Sequence, residues 1–159
     1  MRGVDSRADA HGVGEPDGAV YLDTSALLPY YRAEPASESV ETFLRGVDRP
    51  VVLSRLADLE MSSALNRLVR MGELLEPDAL LIEHAYLDDL REGRFELAPV
   101  PARAYTDARR WLLDCRLDLR TLDALHLATC RQMGALMVTC DHSLHEAAVR
   151  LGITSRLIF

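Results

Sequence analysis

Two aspartates stand directly after apolar runs in this sequence, where a carboxylate could either cap a helix or do chemistry. Asp23 ends the run in VYLDTSALL and is followed by two hydroxyl residues, so three side chains compete for one N-terminal cap. Asp141 follows the run in ALMVTCDHSLHE, where Ser143 and Glu146 have the spacing of a capping box and are expected to cap the next helix without it. Both aspartates are therefore candidates for a role beyond capping.

Two further acids lie in apolar helical stretches. Asp123 is in TLDALHLATCRQMG, which is apolar all round at the helical period and predicts a buried helix. An isolated carboxylate there is costly unless a cation meets it, although a first-turn position would also suit it through the helix dipole. Glu60, in RLADLEMSSALNRLVRM, lies at the border of an apolar stripe and taken alone resembles a surface residue. The stripe consists of Ala57, Met61, Ala64 and Leu68.

These four acids together have the chemistry of a site for a hard divalent cation. Mg²⁺ prefers oxygen ligands, keeps several waters and rarely uses more than one or two direct carboxylates. Beside a phosphodiester, such an ion activates water, polarises the phosphoryl group and offsets charge on the leaving oxygen. We therefore interpret Asp23 as a metal ligand and not only as a cap.

The acids can meet only if the chain folds as an α/β domain. After residues 1–18, which lack hydrophobic periodicity and are predicted to be a flexible tail, strands alternate with helices. Such alternation predicts a parallel sheet with helices on both faces, in which ligands bind at the carboxyl ends of the strands. Asp23 and Asp141 should then project to the same edge. We predict strands at 19–23, 50–54, 95–99, 135–139 and near 153–158, and helices at 24–32, 36–46, 55–72, 77–92, 101–115, 120–133 and 143–150.

Length and composition predict one soluble domain over residues 19–159. Of the 159 residues, 48% are hydrophobic, and no run resembles a membrane span or a signal peptide, so we expect a cytoplasmic protein with reduced cysteines. Taken alone, the net charge of -7 disfavours a nucleic-acid partner. Without residues 1–18, however, 16 arginines face 21 acids, and the four candidate acids make up most of that excess. The charge therefore does not exclude a nucleic acid as substrate.

Four segments, in this order, resemble the PIN-domain ribonucleases and in particular the VapC-type toxins of toxin–antitoxin pairs. They are YLDTSALL, LADLEMSSALNR, LRTLDALHLA and MVTCDHSL. The likeness extends over residues 20–158 and implies a three-layer α/β/α fold around a central parallel sheet. Position by position, the resemblance also implies which residues of this chain correspond to the family's four acids, and which hydroxyl supports these acids. The acids are Asp23, Glu60, Asp123 and Asp141, and the hydroxyl is that of Thr139.

The resemblance also implies an activity and its partners. It implies an endoribonuclease that depends on Mg²⁺ or Mn²⁺, forms a homodimer and is inhibited by a small cognate antitoxin. We expect Asp23, Asp123 and Asp141 to hold the metal directly or through water, and Glu60 to position the attacking water. Cleavage would leave a 5′-phosphate and a 3′-hydroxyl. The alternative is a non-catalytic PIN-like module that binds RNA or an antitoxin without cutting.

Other chemistries fit the sequence less well. A receiver domain needs a lysine near its phosphoacceptor, and this chain has no lysine; a phosphatase with an aspartate nucleophile needs a D-x-D start, where this chain has D-T-S. A zinc site from Cys140, His142 and His145 lacks a second ligand pair at a supportive spacing. His126, among apolar neighbours, is expected to be a core or site-edge residue rather than a base.

Overall fold

A computed structural model describes residues 18–114 and 116–159, so the tail predicted for residues 1–18 lies outside the described residues except for Gly18. Five strands and seven helices alternate along this described part of the chain, and none of these helices is long and apolar enough to cross a membrane. The strands are β1 (Val20–Leu22), β2 (Val51–Ser54), β3 (Glu96–Ala98), β4 (Leu136–Thr139) and β5 (Ser155–Leu157). The helices are α1 (Thr24–Tyr31), α2 (Ser37–Gly46), α3 (Arg55–Arg70), α4 (Glu76–Arg91), α5 (Ala102–Leu112), α6 (Thr121–Met133) and α7 (His142–Arg150).

The strands form one parallel sheet in the order β3-β2-β1-β4-β5. In the centre, Val20 of β1 lies opposite Val51 on one side and opposite Leu136 on the other. Helices cover both faces of the sheet, which confirms the predicted three-layer α/β/α architecture. Because the strand order reverses between β1 and β4, these two strands form the switch point at which folds of this kind bind ligands.

Alternate residues of the central strands supply the two halves of the core. Val20 and Leu22 of β1 pack with α1 to α4, whereas Tyr21 packs on the opposite face with α5 to α7. In β4, Val138 and Met137 divide between the same two faces. Both faces of these strands are buried, which explains why they appear in the sequence as unbroken apolar runs.

The predicted elements are confirmed in order, with small differences at their ends. Helix α5 stops at Leu112 rather than at 115, because the carboxylate of Asp114 accepts the backbone N–H of Arg116 (3.1 Å) and stabilises a turn instead. Helix α6 is capped by Gly134, whose φ of 61° is a left-handed conformation that glycine adopts without strain. Strand β4 can therefore begin two residues later, in register with β1.

Candidate active site

The strand-end acids meet where β1 and β4 end. The backbone N–H of Asp23 donates to the carbonyl of Val138 (3.2 Å), so the first residue after β1 is still attached to β4. Asp141 follows the last residue of β4 by two positions. Since β1 and β4 are adjacent and parallel, the prediction that Asp23 and Asp141 lie at the same edge of the sheet is confirmed.

Asp23 is both a helix cap and a buried carboxylate. It caps α1 by accepting the backbone N–H of Ser25 (3.3 Å), and the Ser25 hydroxyl also donates to it (3.0 Å). Asp23 is only 5% exposed. Burial raises its pKa, while the charge of His126 and hydrogen bonds from Ser25 and Thr139 limit the increase. The ionised form of Asp23 is therefore costly in this fold unless a cation is near.

The two hydroxyl residues after Asp23 bind other parts of the site, which explains the surplus of candidate caps. The Ser25 hydroxyl accepts the backbone N–H of Cys140 (2.9 Å) and contacts the hydroxyl of Thr139 (3.1 Å). The Thr24 hydroxyl donates to Glu60 (2.6 Å). These contacts attach the start of α1 to β4 on one side and to α3 on the other.

Asp141 caps α7, so the expectation that Ser143 and Glu146 would replace it is wrong. Its Oδ1 accepts the backbone N–H groups of Ser143 (2.7 Å) and Leu144 (3.1 Å). The helix begins at His142, one residue before the predicted start, and this places Ser143 inside the first turn instead of at the cap. Capping uses one carboxylate oxygen, and Oδ2 of Asp141 accepts no hydrogen bond from the described residues.

Asp123, in the first turn of α6, lies near Asp141. It is half-buried, and burial raises its pKa. A hydrogen bond from the backbone N–H of Arg120 lowers the pKa of Asp123, whereas the negative charge of Asp141 raises it further. The two carboxylates are therefore close enough to repel one another.

Glu60, on α3, is held through one of its two carboxylate oxygens. The Thr24 hydroxyl donates to Oε2 (2.6 Å), and Nε2 of His126 lies 2.6 Å from the same oxygen. Burial raises the pKa of Glu60, but the contacts with His126 and Thr24 outweigh burial and the net shift is downward. Oε1 accepts no hydrogen bond from the described part of the chain and can contact water or a substrate.

His126 links the acids to one another. Its charge lowers the pKa values of Asp23, Glu60 and Asp123, against the effect of burial on each. The expectation that His126 is a core or site-edge residue is confirmed by its exposure of 3%. Sequence reasoning did not predict that His126 and Thr24 both contact Glu60. The available signal was a polar residue three positions after Asp123, on the same side of an apolar helix.

The donor set fits a hard divalent cation, although no cage is preformed. Within residues 18–114 and 116–159, no three His, Cys, Asp or Glu side chains already have the spacing that holds an ion. Mg²⁺ does not need such a cage, because it is usually bound by one or two carboxylates and keeps several waters. The buried carboxylate of Asp23 and the like charges of Asp123 and Asp141 are the groups that a cation would stabilise here.

The zinc alternative gains no support from the geometry. Burial raises the pKa of Cys140 to about 11, which makes the thiolate form that zinc binds costly at this position. His145 is hydrogen-bonded through Nδ1 to the Ser155 hydroxyl (3.0 Å), which connects α7 to β5. His145 thus has a structural partner.

We expect Asp23→Asn to raise the melting temperature of the metal-free protein. Asn caps helices about as well as Asp, so the cap is retained while a buried charge is removed. A carboxyl whose pKa is raised in the fold lowers stability as the pH rises from its ordinary value towards the raised value, and Asp23 has such a shift. Relief of about 1 kcal/mol would raise the melting temperature at neutral pH by about 3 °C.

Asp23→Ala is the matched control for this melting experiment, because it removes the charge and the cap together. It should melt below Asp23→Asn by the cost of a lost cap, about 1 kcal/mol. Thermal melts in EDTA at neutral pH compare the three proteins. If Asp23→Asn melted below the wild type, the Asp23 carboxylate would be a stabilising cap and not a strained ligand.

The fold and the acidic edge together define a known class of protein. A family model described as PIN domain matches residues 20–150. The chain therefore belongs to the PIN-domain family. Ribonuclease VapC46 of Mycobacterium tuberculosis (strain ATCC 25618 / H37Rv) is 34% identical to it over 138 residues, which cover 85% of this chain and 94% of that relative. Ribonuclease VapC35 of the same species (strain CDC 1551 / Oshkosh) is 32% identical over 143 residues, with 84% and 93% covered.

A solved structure shares the architecture at lower identity. The crystal structure of VapC20 from Mycobacterium tuberculosis, a toxin that cleaves the sarcin-ricin loop, matches with a TM-score of 0.62 and 16% identity. The match covers 80% of this chain and 94% of VapC20. This similarity shows the common fold. The match to the family model confirms the resemblance to PIN domains that the four sequence segments indicated.

Proposed function

We propose that this chain is a metal-dependent endoribonuclease and the toxin of a toxin–antitoxin pair. One observation carries the proposal: a buried aspartate, a like-charged aspartate pair and a glutamate with a free oxygen surround the β1–β4 switch point of a PIN-domain chain. Its curated relatives are VapC ribonucleases, which supports RNA as the substrate class. The acids alone would fit any phosphodiester.

The chain's own residues divide the work between metal binding and water positioning. Asp23, Asp123 and Asp141 would hold Mg²⁺, or Mn²⁺, directly or through water. When bound, such an ion activates water and offsets the charge that develops on the phosphoryl group and the leaving oxygen. Thr139 supports the ligands from behind, since its hydroxyl accepts the backbone N–H of Asp141 (3.0 Å) and contacts Ser25 (3.1 Å).

Glu60 would orient the attacking water. Its Oε2 is occupied by Thr24 and His126, so the carboxylate cannot turn freely, and Oε1 is left to accept a hydrogen bond from water. Its lowered pKa keeps Glu60 ionised at neutral pH, as an acceptor must be. The expected products are a 5′-phosphate and a 3′-hydroxyl.

An exposed cation also lies at this edge of the sheet. Arg120 directly precedes α6, and its charge lowers the pKa of Asp123. A guanidinium at this place could contact an RNA phosphate through paired hydrogen bonds. The negative net charge of the chain is thus compatible with an RNA strand held beside the acids.

The same electrostatics suits an inhibitory protein partner. We include in the proposal a small cognate antitoxin that places an arginine among these carboxylates, where the guanidinium would form charge-assisted hydrogen bonds and keep the cation out. The homodimer that the family resemblance implies and the cytoplasmic location expected from the sequence belong to the same proposal.

The purified protein, incubated with total cellular RNA and millimolar Mg²⁺, should produce discrete fragments that carry 5′-phosphates. Sequencing of the new 5′ ends would define the cleaved RNA and its sequence. Tight RNA binding without new ends would favour the non-catalytic module. Fragments with 5′-hydroxyl ends would contradict hydrolysis by a positioned water.

A further inference from the structure

A buried row of hydrogen-bonded side chains connects the sheet to Glu60. The hydroxyl of Tyr21, on β1, donates to Oγ of Ser54 (2.8 Å) and lies 2.7 Å from Nδ1 of His126. On the other side of the ring, Nε2 of His126 lies 2.6 Å from Oε2 of Glu60. Tyr21 and Ser54 are fully buried and His126 is 3% exposed, so water does not reach the contacts that Tyr21 makes with Ser54 and His126.

The donors and acceptors in this row determine where its protons lie. The Tyr21 hydroxyl has one proton and two lone pairs, so it can satisfy both Oγ of Ser54 and Nδ1 of His126. Oε2 of Glu60 already accepts from the Thr24 hydroxyl, as an ionised carboxylate oxygen does. The contact between Nε2 and Oε2 then requires its proton on Nε2. His126 therefore donates to Glu60 from Nε2.

The surroundings of His126 suit a positive charge. Its ionisable neighbours are Asp23 after β1, Glu60 on α3, Asp123 on α6 and Tyr21 on β1. Three of these are carboxylates. Burial raises the pKa values of Asp23 and Asp123, and the charge of His126 limits this increase. In Glu60, the combined effect of His126 and Thr24 is larger than that of burial, so the pKa is lowered.

We propose that His126 is the positioning residue of this site: its ring, held at Nδ1 by Tyr21, donates from Nε2, fixes Oε2 of Glu60 and so directs Oε1 to the attacking water. This inference rests on the proposed ribonuclease function. His126 acts through Glu60 and contacts neither RNA nor the reacting atoms. The row couples three elements, since Tyr21 lies on β1, His126 on α6 and Glu60 on α3.

Two substitutions of His126 separate positioning from simple filling of the core. The side chain of Gln can place an amide N–H near the position of Nε2, whereas the shorter Asn reaches only that of Nδ1. We expect His126→Asn to lower the kcat for RNA cleavage by about 10²-fold with KM unchanged, the size of effect seen when a reacting group is misplaced by about 1 Å. His126→Gln should recover most of this loss. Equal losses in both variants would overturn the proposal.

Tyr21→Phe tests the other end of the row, because it removes only the hydroxyl that contacts Nδ1 of His126. We expect it to lower kcat without changing KM. Tyr86→Phe is the matched control: Tyr86 is 3% exposed and its hydroxyl donates to Asp58 (3.0 Å), but this pair has no contact with Glu60. If Tyr21→Phe kept the kcat of the control, the row would not position Glu60.

NMR of the metal-free protein gives a readout that needs no RNA. Nε2 of His126 should carry a proton at neutral pH in the wild type, and the pKa of the Glu60 carboxyl should be higher in His126→Asn, whose shorter amide does not reach Oε2. An unprotonated Nε2 would overturn the proposal. If both NMR results held but the wild type did not cleave RNA, the ribonuclease function would fall and the placement of Glu60 by His126 would stand.

Discussion

Asp123→Asn should lower the kcat for RNA cleavage by about three orders of magnitude, the loss expected when one strong electrostatic contact to the reacting centre is removed. The amide keeps the shape of the side chain but loses the charge that would hold a cation. Asp123 is half-buried beside Asp141, so the removal of its charge also relieves a repulsion, and the fold should be retained. Steady-state cleavage with saturating Mg²⁺ and a thermal melt together measure both effects.

Asp58→Asn is the matched control for the helix-dipole explanation of Asp123. Asp58 lies in the first turn of α3 as Asp123 lies in the first turn of α6, and its side chain is partly buried as well. Both substitutions weaken the interaction of an acid with a helix N-terminus, worth about 0.3–1 kcal/mol. Only Asp123→Asn should lose cleavage. Near-normal turnover in Asp123→Asn would show that Asp123 only stabilises the helix N-terminus and does not take part in catalysis.

Removal of divalent metal should abolish RNA cleavage altogether. The described residues contain no lysine, and His126 is committed to Tyr21 and Glu60, so neither a lysine nor a histidine is available at the candidate site to activate water as a base. Cleavage should stop in excess EDTA and return with Mg²⁺ or Mn²⁺, whereas the secondary structure measured by circular dichroism should not change. Full activity in excess EDTA would reject the metal mechanism.

The melting temperature provides a second, independent test of metal binding at these acids. A ligand that binds only the folded state stabilises it by about 2.7 kcal/mol at one hundred times its dissociation constant. Wild-type protein should therefore melt higher in millimolar Mg²⁺ or Mn²⁺ than in EDTA, and Asp123→Asn should gain much less. An equal gain in both proteins would place the ion elsewhere on the chain.

Local sequence determined the elements and the place of the strand-end acids. The runs VYL and LMV are apolar at every position because both faces of β1 and β4 are buried, and such runs are recognisable without knowledge of the fold. Asp23 and Asp141 follow those runs, and a parallel sheet brings the carboxyl ends of its strands to one edge. The family could therefore be identified from short segments in their order.

Tertiary structure decided what each polar side chain contacts. Whether Asp141 or Ser143 caps α7 depended on where the helix starts, which capping patterns do not resolve because each of these residues can accept the N–H groups two or three positions after it. Glu60 has the pattern of a surface residue because periodicity describes only its own helix. Its partners, Thr24 and His126, are 36 and 66 residues away in the sequence, and only the packing of α1, α3 and α6 around the sheet brings them within hydrogen-bonding distance.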